Sequence, residues 1–360
     1  MLVRATIEHP DVREEKQTAR PAGTTACERR EETLPRQGIC RRDGGRLVAV
    51  WGPTGAPGRT SLAIGLAAEL AQLGHRTLLV DADTYGASIA QSLSLVDGTT
   101  GLGTAVQELD RGTLDAAGLR DLTQEVLPGL RVLPGLPRPS QRSALTPTGL
   151  GALWDLTRRF AAWTVVDCGF LLDPREGGSD ATVASRRGDA TLSPLREADL
   201  VLAVGQANPV GLHRLVRGLS ELQALLPVDR RVRVVVNRVR PGAVGSSPER
   251  RVTQALRQFA GVHDPVLVPD DPAAHDRALL RGLPLTRVAT DSPARRAVQS
   301  LAGCLSSGTP ADREVGAPSR HPTRPLPVRS RGRRRRWAGA GRSRHEFLVR
   351  LGSVSELLVR

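Results

Sequence analysis

The sequence predicts an α/β protein in three layers, with a mostly parallel central sheet and helices on both faces. Three observations carry this reading. Short Val- and Leu-rich runs recur along the body with little polar alternation, as strands covered on both faces require. Amphipathic stretches of helical period separate those runs. The first run leads through a Gly- and Pro-rich loop directly into a helix, the strand–loop–helix order in which such folds hold anions.

The strand candidates, in order, are RLVAVWG (46–52), RTLLVDAD (76–83), LRVLPG (130–135), WTVVDCG (163–169), DLVLAVG (199–205), RVVVNRV (233–239) and PVLVPDD (265–271). Residues 60–73, TSLAIGLAAELAQL, place Leu62, Leu66, Leu70 and Leu73 on one stripe, with Gly74 as the stop. PVGLHRLVRGLSELQAL (209–225) reads as a second helix. No internal repeat is evident.

Composition divides the 360-residue chain into three parts. Residues 1–45 are polar, charged and aperiodic, and read as a disordered leader. Residues 46–305 form the ordered body, long enough for one large domain. Residues 306–360 form a low-complexity tail dominated by Pro, Gly, Ser and Arg. The apolar fraction is 39% with nine aromatic residues, so the core rests on Leu, Val and Ala.

The net charge is +14, but ten arginines and no acidic residue lie between Arg320 and Arg344. The excess therefore belongs mostly to the tail. Its RGRRRR run (331–336) and Trp337 suit either nucleic acid phosphates or anionic lipid. Phe347, Leu351, Val354 and Leu358 recur at helical spacing with Arg350 and Arg360 nearby, as in an interfacial helix. Gly352 and Ser353 interrupt that stretch, and a solvated extension with no partner is the competing reading.

Lys16 is the single lysine against fifty arginines. Arginine at a position that usually carries lysine can therefore reflect composition alone. Cys27, Cys40, Cys168 and Cys304 are far apart and form no CxxC pair, which argues against a disulfide framework or a zinc site and fits a reducing cytosol. The N-terminal stretch lacks the apolar core of a signal peptide. No apolar run reaches the roughly 18 residues a membrane span needs, so a cytoplasmic location is expected.

VAVWGPTGAPGRTS (48–61) carries the chemistry. Backbone amides of a Gly-rich loop, backed by a helix N-terminus, suit phosphate oxygens. Gly55 and Gly58 permit close backbone approach, Arg59 supplies charge, and Thr60 or Ser61 offers a hydroxyl to Mg²⁺. The strict pattern G-x-x-x-x-G-K-[ST] fails twice, at Pro53 and at Arg59. An ordinary strand-to-helix turn is the alternative. Asp81 and Asp83 at the end of the second strand, and Asp167 at the end of a later one, weigh against it. Ligands of open α/β sheets bind outside the carboxyl ends of strands, and a Mg²⁺–nucleotide site needs carboxylates there.

With these residues in place, the body resembles the MinD/ParA family of P-loop ATPases, including its CpaE-like pilus-positioning branch, from about Arg46 to Cys304. The family loop K-G-G-x-G-K-[ST] is matched by Thr54, Gly55, Ala56, Pro57, Gly58, Arg59 and Thr60. The resemblance implies ATP and Mg²⁺ as ligands, with Ser61 completing the loop's contacts. It implies Thr60, Asp81 and Asp167 on the metal side, Asp167 acting through a water. It implies Asp83 as the residue that positions attacking water and Arg59 as the catalytic cation. Asn237 would read the base edge, Arg238 would stack nearby, and Pro269 would belong to the segment closing over adenine.

The family's signature lysine, which reaches a partner protomer's phosphates, aligns with Thr54, and its loop lysine with Arg59. Binding is expected to survive and hydrolysis to be slow or absent, because an arginine fork differs from an ammonium in reach and geometry. The implied function is a nucleotide-dependent, dimerising switch that positions a division, partition or pilus assembly. It would act through a protein partner, with the tail as a possible contact to anionic membrane. A degenerate ATP-binding adaptor with little turnover is the second reading. A DNA partition factor, resting on charge alone, is the third.

Overall fold

A computed structural model of the chain describes residues 44–95, 101–172 and 188–308. The leader and tail expectations therefore lie outside the described residues, apart from their inner edges. Eight strands form one sheet in the order β3-β4-β2-β5-β1-β6-β7-β8. They are β1 (Arg46–Trp51), β2 (Thr77–Ala82), β3 (Gln124–Leu127), β4 (Leu130–Leu133), β5 (Trp163–Cys168), β6 (Leu200–Gln206), β7 (Val232–Val239) and β8 (Val266–Pro269). All pairings are parallel except β3 with β4.

The seven strands read from sequence are present with shifts of a residue or two at their ends. The eighth, β3, was not anticipated. It is a four-residue edge strand that returns on β4 through Pro128 and Gly129, and Gly129 takes the left-handed φ of 82°. Its half-exposed QEVL sequence carries no apolar run. An edge strand with one covered face lacks the signal that marks the central ones.

The sheet is covered on both faces because side chains alternate along each central strand. On β1, Leu47, Ala49 and Trp51 enter one core and Val48 and Val50 the other. The first core is closed chiefly by α3 (Leu102–Asp110), α5 (Pro147–Phe160), α7 (Pro209–Leu225) and α9 (Pro248–Ala260). The second is closed by α1 (Arg59–Gln72) and α12 (Pro293–Ser307).

Helix α1 is buried almost all round, since the sheet lies on one side of it and α12 on the other. Gly65 matters here: a Cβ added at that position would stand 3.4 Å from Val298 of α12. Leu62, Leu66 and Leu70 are buried as the stripe predicts, but Leu73 is 49% exposed. It lies beyond the last helical residue, where Gly74 at φ 86° turns the chain away.

Candidate functional site

The loop after β1 is shaped by close packing at its glycines. A Cβ on Gly52 would fall 2.4 Å from the Val204 carbonyl oxygen, so β6 holds the loop's entry. Ala56 N–H donates to the Pro53 carbonyl at 3.0 Å and closes the turn. Gly55 and Gly58 adopt φ of 75° and 85°, a region costly for any residue with a Cβ. Gly58 caps α1, and no side chain caps the helix's first amides. A 14-residue helix thus presents its uncapped N-terminus to the loop.

Arg59 is folded back across this loop. Its Nη1 donates to the Gly52 carbonyl at 2.9 Å, and its Nη2 reaches Asp83 Oδ2 at 3.4 Å. Asp83 Oδ1 accepts from the backbone N–H groups of Tyr85 and Gly86, both at 3.0 Å. Both oxygens of the expected water-positioning carboxylate are therefore engaged.

Asp81 is committed to the backbone. Its Oδ1 accepts from Asp83 N–H at 3.2 Å, and its Oδ2 from Ser88 and Ile89 N–H at 3.0 Å each. These bonds hold the segment between β2 and the short helix α2 (Ile89–Ser92). In this geometry the Asp81 carboxyl anchors the backbone that follows β2. Burial pushes its carboxyl up to about 6, against the opposing pull of those amides.

Asp167 stands opposite Asp81 in the parallel register of β2 and β5. It is 1% exposed, and neither of its oxygens has a hydrogen-bond partner. Burial, and then the neighbouring Asp81 charge, push its carboxyl up to about 8. The Thr60 hydroxyl comes close enough to favour the charged form, yet stops short of hydrogen-bond geometry. Arg59 acts in the same direction through its charge.

A buried carboxylate with two orphaned oxygens is costly unless a cation completes it. The donors here are hard oxygens, Asp167 and Thr60. Among the described residues no group of three or more His, Cys, Asp or Glu side chains has the spacing of a metal cage. An ion at this point would take most of its ligands from phosphate and water, which fits Mg²⁺.

Asn237, at the end of β7, is tied down at both ends of its amide. Its Nδ2 donates to the Pro57 carbonyl at 3.1 Å, and its Oδ1 accepts from Arg238 N–H at 2.9 Å. Gly58 makes this possible, because a Cβ there would lie 2.0 Å from Nδ2. Arg238 is exposed at φ 59°, and Pro269 closes β8 in register with Val239. Gly55, Ala56, Pro57, Gly58, Arg59, Thr60 and Ser61 thus share the carboxyl end of the sheet with Asp83, Asp167 and Asn237.

Two features escaped the sequence reading. A groove runs from Gly58 and Ser61 along α1, walled by Asn237, Val268, His275 and Thr286. Its far end is a buried ion pair, in which Arg295 Nε meets Glu69 Oε1 at 2.8 Å. Burial raises the Glu69 carboxyl while Arg295 opposes the shift. The second feature is Arg214 of α7, whose Nη1 donates to the Thr54 carbonyl at 3.3 Å. Neither residue carries a local signal, because each is a charged side chain within a helix that the sequence assigns to packing.

Comparison with known proteins bears on the fold and on the domain family. The family model "CobQ/CobB/MinD/ParA nucleotide binding domain" matches residues 48–285. The septum site-determining protein MinD of Synechocystis is 27% identical over 194 residues, covering 51% of this chain and 70% of that protein. A short stretch of 52 residues is 44% identical to tRNA dimethylallyltransferase of Bifidobacterium animalis subsp. lactis, spanning only 15% of that protein.

Among solved structures, a ParA family ATPase from Chlorobium tepidum superposes with a TM-score of 0.59 at 20% identity, covering 71% of this chain and 98% of that one. MinD from Pyrococcus horikoshii, complexed with Mg-ADP, gives 0.57 at 19%, covering 75% and 99%. At such identities these structures establish the shared fold.

Proposed function

Because the chain belongs to the CobQ/CobB/MinD/ParA nucleotide-binding domain family, we propose that it binds ATP with Mg²⁺ and acts as a slow nucleotide switch. The observation that carries this is the orphaned Asp167 carboxylate beside Thr60, directly behind an uncapped helix N-terminus. In this reading the amides of Gly55 to Thr60 hold the phosphates. Thr60 and Asp167 orient the Mg²⁺, which supplies charge neutralisation to the phosphate oxygens. Asn237 fixes the loop to β7 and so places the nucleoside side of the site. Arg238, Pro269 and the groove beside α1 flank it. The experiment is calorimetric titration with Mg–ATP and Mg–ADP: saturable binding that Asp167→Asn removes supports the site, and no binding by the wild type rejects it.

Turnover is the point at which two readings part. The Asp83 oxygens are taken by two backbone amides and by Arg59, which favours an adaptor that holds nucleotide with little hydrolysis. A switch that cycles requires Arg59 to leave Asp83 when phosphate arrives. Single-turnover hydrolysis separates the two. The likeness to a septum site-determining MinD supports a role in positioning a cellular assembly. That role would use a nucleotide-favoured pair of protomers and a protein partner, with the basic tail as a contact to anionic membrane. A DNA partition function draws no support from the body, since the charge excess lies in residues 320–344. Among the described residues no helix is long and apolar enough to cross a membrane.

A further inference from the structure

The loop between β1 and α1 contains one cation, Arg59, and that cation is occupied by Gly52 and Asp83. A second cation stands at the loop's rim. Arg214 projects from the first turns of α7, a helix started by Asn208, whose side chain accepts from Gly211 N–H at 2.6 Å. Its guanidinium lies against the backbone of Gly55: a Cβ on that residue would be 2.1 Å from Nη1. The contact exists because Gly55 has none, and Gly55 has the left-handed φ of 75° that makes any other residue costly there.

Arg214 makes one hydrogen bond, to the Thr54 carbonyl, and among the described residues no carboxylate pairs with it. Its neighbour one turn along the same helix face behaves differently, since Arg217 is paired with Glu221 at 2.9 Å. A guanidinium has five N–H donors, so Arg214 keeps most of its donors free at the crest of the loop. A side chain held this way loses little freedom when it turns from a loop carbonyl to a phosphate oxygen a short distance away.

We propose that Arg214 is an arginine finger supplied in cis: it contacts the terminal phosphate of a nucleotide held by the loop and stabilises the charge that develops there during transfer to water. This rests on the nucleotide-binding reading above. The bond that breaks joins the terminal phosphorus to the bridging oxygen of the diphosphate, and the bond that forms joins that phosphorus to the oxygen of water. The electron pair of the broken bond leaves with the diphosphate oxygen, and the proton lost by the water passes to a phosphate oxygen or to solvent; Arg214 gains no proton and loses none and only donates hydrogen bonds. Such arginines act on the transferring group far more than on the leaving diphosphate. The same contact explains how a loop without lysine retains a cation for its outermost phosphate.

The test compares three ligands on the full chain: Mg–ADP, Mg–ATP and Mg–ADP with aluminium fluoride, which mimics the group in transfer. For Arg214→Ala we expect affinity for the aluminium fluoride complex to fall at least about tenfold, while that for Mg–ADP changes less than about threefold. Arg214→Lys should not restore the wild-type value. Arg217→Ala serves as the control, with all three affinities unchanged. Equal loss for all three ligands, or no loss for any, in Arg214→Ala overturns the inference and leaves the nucleotide site standing. Failure of the wild type to bind Mg–ADP rejects the site itself, and the inference with it. Arg214 is exposed, so an unchanged melting temperature of the variant confirms that the fold is intact.

Discussion

Asp81 and Asp167 face each other in register across β2 and β5, both 1% exposed, yet only Asp81 has hydrogen-bond partners. The pair divides the work of the site. Asp81 spends its oxygens on three backbone amides and fixes the path of the chain after β2. Neither oxygen of Asp167 has a hydrogen-bond partner.

This pair is expected to make the protein less stable as pH rises. Both carboxyls are raised from 3.8, to about 6 and about 8, mainly by burial. Between those limits the folded protein holds protons that the unfolded chain releases. Stability from this source is thus fully present below about pH 4 and is lost as pH rises toward 8. Melting temperatures of the wild type should fall over that range once other titrations are matched. Asp167→Asn should flatten the slope and raise the melting temperature near pH 8 by about 5 °C. An equal slope in the variant would show that Asp167 is not the titrating group.

Thr60 and Ser61 should differ sharply. Only the Thr60 hydroxyl approaches Asp167, whereas Ser61 faces the groove along α1. Thr60→Ala should weaken Mg–nucleotide binding at least about tenfold, and Ser61→Ala less than about threefold. Calorimetric titration with and without Mg²⁺ measures both. Matching effects would remove the metal-side assignment of Thr60.

Arg59 restrains Asp83, so slow hydrolysis is expected from the wild type. Arg59→Lys alone should not bring rapid turnover, because Asp83 would still be held by the Tyr85 and Gly86 amides and position 54 would still offer no charge to a partner protomer, whereas Arg214 serves only its own chain's nucleotide. Thr54→Lys with Arg59→Lys should raise the single-turnover rate if two protomers meet across their nucleotides. Rapid hydrolysis by the wild type would reject the adaptor reading outright.

Gly58 is the tightest point of the loop. A Cβ there would clash with Asn237 Nδ2 at 2.0 Å and would be forced into φ 85°. Gly58→Ala should cost about 1–3 kcal/mol of stability and weaken nucleotide binding. Asn237→Ala removes the clash without removing the unfavourable φ, so adding it should recover only part of the stability. Full recovery in the double variant, measured by denaturant unfolding, would show that backbone strain contributes nothing.

The sequence by itself determined the parts of this protein that are written locally. Central strands covered on both faces must be apolar along their whole length, so the runs at 46–52, 163–169 and 199–205 are readable without partners. A loop that turns through left-handed residues needs glycine at Gly55 and Gly58, so its place was readable too. Tertiary structure decided what depends on distant pairing. Sheet order brought Asp167 opposite Asp81, and only then did one carboxylate become an anchor and the other an orphan. Asn237 reaches Pro57 across 180 residues of chain, and Arg214 reaches Thr54 across 160. No local pattern encodes such contacts, because a charged or amide side chain on a helix face or strand end looks the same whether it meets water or a phosphate loop. The edge strand β3 stayed hidden for a related reason: its partner β4, rather than its own apolar content, makes it a strand.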